Sequence, residues 1–204
     1  MSKDYQNIGL DVIDMAVANG DLLFNSKTKS QDFNRACDHI LVLLLDAVSC
    51  FERCSYGTAV FLSITVIEEV AKASIGLFRR ANNTQPAKGR TDKLFSHVAK
   101  HQMAILPTVF MGKRLEDAIG KERCQQLLEE AADGKFSKLR EDSLYFRSEH
   151  NQFATPGESI TRQKAREMIL LAIETADDRL VGYTGHTGLI EKRMDALFEA
   201  VANL

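Results

Sequence analysis

The sequence predicts an all-α helical bundle, and three observations predict it. Only 3 prolines and 12 glycines among 204 residues leave few helix breakers, whereas an all-β chain needs many more turn residues. Apolar residues recur at i, i+3, i+4 along most of the chain. The segment Ala59 to Phe78 is apolar nearly all round a helical wheel, the mark of a helix buried at the centre of a bundle. Hydrophobic residues at 45% and charged residues at 26% fit an ordinary globular domain, and the length suits one fair-sized core.

Each element follows from local pattern. Residues 6–24 carry Ile8, Val12, Ile13, Ala16, Leu22 and Leu23 at helical spacing, with Gly20 as an interruption. The polar run Asn25 to Gln31 reads as a linker, so residues 1–31 form an N-terminal arm and residues 32–204 a single bundle domain. Core helices are predicted over 33–54 and 57–80, then a loop over 81–90 containing Asn82, Asn83, Pro86 and Gly89. Thr91 is positioned to cap a helix from Asp92 to Leu106, which Pro107 ends or kinks. One surface helix follows over 113–132. Periodicity fades from Gly134 to Glu158, a length that invites a functional role. Ser159 or Thr161 restarts a helix to about Val181, Gly182, Gly185 and Gly188 break it, and residues 189–201 form a C-terminal helix.

A net charge of −2 and a pI near 6.2 give no global basic field. Cys37, Cys50, Cys54 and Cys124 form no CxxC pair, and packing thiols are expected. The longest apolar run, Ile40 to Leu45, is too short for a membrane span. The start, Met1 to Gln6, lacks the basic and apolar regions of a secretory signal, so a cytoplasmic location is expected.

Charge interrupts the central helix in Val66-Ile67-Glu68-Glu69-Val70-Ala71-Lys72, where Lys72 can pair with either glutamate. Intrahelical ion pairs on a partly exposed face and a polar pocket lined from the central helix both fit. On the preceding helix Asp46 follows three leucines and can lie on a solvent stripe with His39 and Arg53, or face Lys72. His97 and His101 stand at i,i+4, a spacing that can hold a metal, but no glutamate follows His97 and Lys100 lies beside it. No metal and no cofactor are therefore expected. In 138–150, Arg140, Tyr145 and His150 combine phosphate-binding, stacking and proton-transfer chemistry. The alternative is a solvated loop that Tyr145 and Phe146 pin to the core. Walker, GxGxxG, GxSxG and helix-turn-helix signatures are missing from the sequence.

Taken in order, Asp46-Ala47, Tyr56-Gly57-Thr58-Ala59-Val60-Phe61-Leu62-Ser63-Ile64 and Glu68-Glu69-Val70-Ala71-Lys72-Ala73 resemble the EExxK core of the AbiV family of abortive-infection proteins. His97-x-x-Lys100 is similar to its basic HxxK segment, and Arg140 with Leu144-Tyr145, then Pro156, Ile160-Thr161 and Ala165, to its downstream elements. The likeness covers residues 36–181. The family pattern has an aspartate soon after the LYV-like element, where this chain has Phe146-Arg147-Ser148-Glu149. The resemblance implies a HEPN-like bundle, a group that includes dimeric ribonucleases with an arginine and a histidine a few residues apart. Here Arg90 and His97 have six residues between them, and Arg147 and His150 two.

The resemblance implies phage defence inside the cell, through RNA cleavage or translation arrest. Its pocket would collect Asp46, Glu68, Glu69, Lys72, His97 and Lys100, with Arg140 and Tyr145 at the rim. His97 would move the proton, with Glu69 and Lys72 as the other catalytic groups and Asp46, Glu68, Lys100, Arg140 and Tyr145 binding ligand. The competing reading is a non-catalytic interaction module. RNA, or a phage or host protein, is the expected partner, with no membrane, and a homodimer is the assembly the likeness implies.

Overall fold

The computed structural model describes residues 4–80, 92–107, 113–149 and 152–204. Its helices are α1 (Tyr5–Ala18), α2 (Lys29–Glu52), α3 (Tyr56–Phe78), α4 (His97–Ile105), α5 (Lys113–Ile119), α6 (Lys121–Ala132), α7 (Lys135–Asp142), α8 (Pro156–Ser159), α9 (Arg162–Leu180) and α10 (Thr187–Ala202). Between α7 and α8 lies a two-stranded antiparallel ribbon, β1 (Arg147–Glu149) and β2 (Gln152–Ala154), with Ser148 opposite Phe153. The described residues are all-α apart from this ribbon, as the periodicity predicts.

The near-continuous apolar surface of α3 is explained by its neighbours, since it packs against α2, α9, α4, α7 and α1. Val60, Ile64, Ile67, Val70 and Ile75 are fully buried. The α9 residues Met168 to Ile173 are buried without interruption, so α9 is a second core helix. Thr161 caps it by accepting from the Lys164 amide. One turn further on, Arg166 ties this end of α9 to its neighbours, donating to the carbonyls of Val201 and Ala202 of α10 and of Ala118 of α5.

Local chemistry moved several predicted boundaries. The helix expected over 92–106 is a 3-10 turn, Lys93–Phe95, followed by α4, because Ser96 adopts an extended conformation and its side chain accepts from the Ala99 amide. The predicted cap Thr91, the 81–90 loop, Arg90 and His150 lie outside the described residues. The helix expected over 113–132 is two helices, since Gly120 has φ +88 and breaks the run. The stretch 134–158, which looked irregular, contains α7, the ribbon and α8. Tyr145 and Phe146 do not pin it to the core, for both are exposed. Cys37, Cys50 and Cys124 are buried packing thiols, while Cys54 is exposed. Among the described residues no helix is long and apolar enough to cross a membrane.

The N-terminal arm is fastened to the body. Ala16 of α1 is fully buried, and α1 lies against α4 and α3. Arg79, only 1% exposed, donates to the carbonyls of Ala16, Asn19 and Asp21 and to Asp92 Oδ1 at 2.6 Å. Gly20, with φ +123, lets the chain turn over this guanidinium; a Cβ there would sit 2.4 Å from Arg79 Cζ.

Candidate functional site

The buried segment of α3 that contains Val66, Ile67, Val70 and Ala71 also carries Glu68, 5% exposed and aimed into the bundle rather than at water. Charge in such a place needs partners. They come from α4, where the Ser96 cap starts the helix at His97 and puts His97, Lys100 and His101 on one face at i, i+3, i+4. Lys100 Nζ donates to Glu68 Oε2 at 2.6 Å. His97 Nδ1 and His101 Nε2 meet Oε1 at 2.7 and 3.2 Å. A third helix, α7, brings Arg140, whose Nε lies 3.7 Å from the same oxygen and whose guanidinium stacks on Phe61 of α3, Cζ to centroid 4.7 Å.

Burial alone would raise the Glu68 pKa, but hydrogen bonds from His101 and Lys100, the Lys100 charge and the His97 hydrogen bond outweigh it and hold the carboxyl down at about 2. The carboxylate is therefore ionised and can only accept, so both imidazoles present N–H to it. For His101 that leaves Nδ1 a buried lone pair without a hydrogen-bond partner. Burial lowers its pKa despite the opposing pull of Glu68, because protonation would add an unpartnered buried donor. His101 also packs edge-on against Phe136 of α7.

His97 differs from its neighbours in exposure. Its side chain is 48% exposed while Glu68 and Lys100 are closed off, so Nδ1 is anchored and the opposite edge of the ring, with Nε2, is free of hydrogen bonds to the described residues. Arg140, 28% exposed, likewise hydrogen-bonds no described residue through its guanidinium, its buried Nε lying 3.7 Å from Glu68, beyond hydrogen-bond distance. A histidine oriented by a carboxylate next to an arginine with unused donors can move a proton beside a bound anion.

The other sequence candidates lie elsewhere. Glu69 falls 100° round the helix from Glu68. It pairs with Lys72 at 2.5 Å, both partly exposed, on the wall of a groove of about 190 Å³ that Phe24, His39 and Ile40 also line. Asp46 is exposed on α2 and makes no ion pair among the described residues, while Lys72 pairs with Glu69. Tyr145 is exposed on the turn after α7. The residues expected in one pocket thus divide into the Glu68–His97–Lys100–Arg140 centre, the Glu69–Lys72 groove and two surface positions. His101, Phe61 and Phe136 belong to the centre without being among the residues expected in the pocket; the HxxxH spacing is the available signal for His101, considered only as a metal pair and set aside. Among the described residues no group of three or more His, Cys, Asp or Glu is arranged to hold a metal ion.

This placement sets a magnitude. Glu69→Ala and Lys72→Ala are expected to couple by less than about 1 kcal/mol in a double-mutant cycle, as partly exposed i,i+3 pairs do. A coupling of several kcal/mol would mean that the groove is shut off from water.

No curated protein and no solved structure matches the chain. A family model, HEPN_AbiV, described as AbiV, matches residues 33–176, which hold most of α2, all of α3, α4 and α7 and most of α9, and with them every side chain around Glu68. That match covers more than two thirds of the sequence and coincides with the helical bundle, and the chain belongs to the HEPN-like AbiV family of abortive-infection proteins.

Proposed function

We propose that this AbiV-family chain defends against phage by cutting RNA without a metal, with His97 as the proton-transfer group and Arg140 as the phosphate contact. One observation carries the reading: His97 Nδ1 is fixed on a buried carboxylate at 2.7 Å while half of the ring remains exposed. No hydroxyl or thiol of a described residue hydrogen-bonds His97, and in this reading the substrate supplies the nucleophile. RNA carries one in its 2′-hydroxyl. That oxygen attacks the adjacent phosphorus, its proton passes to His97 Nε2, and the bond from phosphorus to the 5′-oxygen breaks. The departing oxygen then takes a proton from the imidazolium, leaving a 2′,3′-cyclic phosphate and a 5′-hydroxyl. Arg140 offers its unused donors to the charge that develops on phosphate. Translation arrest follows as a consequence of cut RNA.

His97→Gln is the direct test, because glutamine can still donate to Glu68 but cannot exchange a proton. Purified, folded variant is expected to cut RNA about 10²- to 10⁴-fold more slowly and to lose phage protection. RNA lacking the 2′-hydroxyl should be inert to wild-type protein. Arg140→Lys should weaken cleavage and Arg140→Ala weaken it further, since lysine keeps the charge but not the fork. The interaction-module reading draws on the engagement of both Glu68 oxygens within the bundle. Full protection by folded His97→Gln would decide for it.

A further inference from the structure

The ribbon β1–β2 presents its aromatics to solvent. Phe146 is 67% exposed and Phe153 63%, and their rings lie together, centroids 5.4 Å apart with planes tilted by 35°. A ribbon whose role was to close the bundle would turn these rings inward. Its base is nonetheless firmly seated. Arg147 pairs with Asp142 at the end of α7, and Gly57 of α3 lies so near that a Cβ there would stand 2.5 Å from the Ser143 carbonyl oxygen and 2.9 Å from Pro156 Cβ. The rings are therefore exposed on a fixed support.

Helix α3 acts as a ruler for what this support adjoins. Its first turn packs at Gly57 against Ser143 and Pro156, which flank the ribbon, Phe61 one turn later carries Arg140, and Glu68 holds His97. Gly57 and Glu68 are eleven residues apart, about 16 Å of helix, so the flanks of the ribbon, the arginine and the histidine follow one another along α3 over a span of several nucleotides. Arg140 gives an anionic strand its contact, since its guanidinium hydrogen-bonds no described residue and is partly exposed.

We propose, on the basis of the RNA-cleavage reading above, that the ribbon is a stacking platform that selects single-stranded RNA, unpaired bases lying on Phe146 and Phe153 while the phosphate beyond them reaches Arg140 and His97. Bases within a duplex have their faces occupied and cannot use such a platform, whereas the face of any unpaired base can. The preference is therefore for strandedness, with little dependence on sequence.

The test measures binding and cleavage of a fluorescent single-stranded oligoribonucleotide, and of the same strand annealed to its complement, by full-length protein. Wild-type protein should bind and cut the single strand in preference to the duplex. Phe146→Ser/Phe153→Ser, with an unchanged circular dichroism spectrum, should bind the single strand about tenfold or more weakly and lose the preference. Phe146→Tyr/Phe153→Tyr should restore both, because the ring is what stacks. His97→Gln should bind like wild type and not cut. If the serine variant binds the single strand with wild-type affinity while His97→Gln abolishes cutting, the platform is wrong and the cleavage reading stands. If the aromatic variants behave as expected but neither wild type nor His97→Gln cuts, the platform stands and the cleavage reading fails. Unchanged RNA binding together with an altered oligomeric state in the serine variant would overturn the proposal in favour of a contact between copies.

Discussion

Glu68→Ala is expected to destabilise the fold by about 3–5 kcal/mol, as removal of one partner from a buried ion pair does. The Lys100 ammonium, only 5% exposed, would be left inside the bundle without its carboxylate, and His101 would lose its Nε2 acceptor. Glu68→Gln keeps the shape but not the charge and should cost less, and adding Lys100→Met should recover part of the loss because the stranded cation goes with it. Acid provides an independent measurement. The carboxyl titrates at about 2 in the folded protein against 4.5 for an ordinary glutamate, a difference of about 3 kcal/mol. A depressed acid stabilises above its unfolded pKa, so this contribution is complete above about pH 4.5 and disappears as the pH falls towards 2. His101 adds an earlier loss in the same direction: burial keeps it neutral in the folded state, while the unfolded chain takes up its proton below the ordinary value of 6.5. Urea titrations between pH 7 and 2.5 should show the stability gap between wild type and Glu68→Gln narrowing as the pH falls below about 4.5. The comparison is between the two proteins because Asp177 and Asp178, which burial pushes up to about 6, gain stability over part of the range in both, while Glu130 and Glu158, held below the usual carboxylate value, lose it in both. A Glu68→Gln protein with the wild-type slope would refute the assignment of that carboxylate.

The second large effect is expected at Arg79. Arg79→Ala should cost about 3–5 kcal/mol, because Asp92, itself buried, loses its counter-charge and the carbonyls of Ala16, Asn19 and Asp21 each lose a donor. The loss should be local before it is global. Amide exchange in α1 should accelerate well beyond that in α3 and α9, since Arg79 joins the end of α1 to the end of α3 while the central helices keep their own contacts. Arg79→Lys can reach one or two of these acceptors and should fall between. Arg79→Ala protein within 1 kcal/mol of wild type, with α1 exchange unchanged, would show that the arm is held by its apolar contacts alone.

Much of the fold is legible in the sequence because helix periodicity is a local property. The stripes of α2 and α9, the all-round apolar surface of α3, the Thr161 cap and the break at Gly20 are each written within a few residues of where they act. The pattern fails where a single residue overrides it. Ser96 shortens one predicted helix and Gly120 splits another, and neither disturbs the spacing of the apolar residues around it. The ribbon was illegible for a related reason: its strands are three residues long, too short for alternation to register, and its aromatics face water.

By itself the sequence determined the fold class, the family likeness and the set of charged residues worth watching. The wheel places Glu68 and Glu69 100° apart, and Lys72 within reach of both, but it does not say which of the two faces a neighbouring helix. Only the packing of α4 and α7 onto α3 decided that Glu68 is the enclosed carboxylate, that His97, Lys100 and His101 are its donors, and that Arg140 arrives from 72 positions along the chain. The same packing gave Glu69 and Lys72 to a separate groove and left Asp46 in solvent. Periodicity fixes angles within one helix, whereas burial, and with it the need of a charge for partners, is set by whichever helix comes to lie against it.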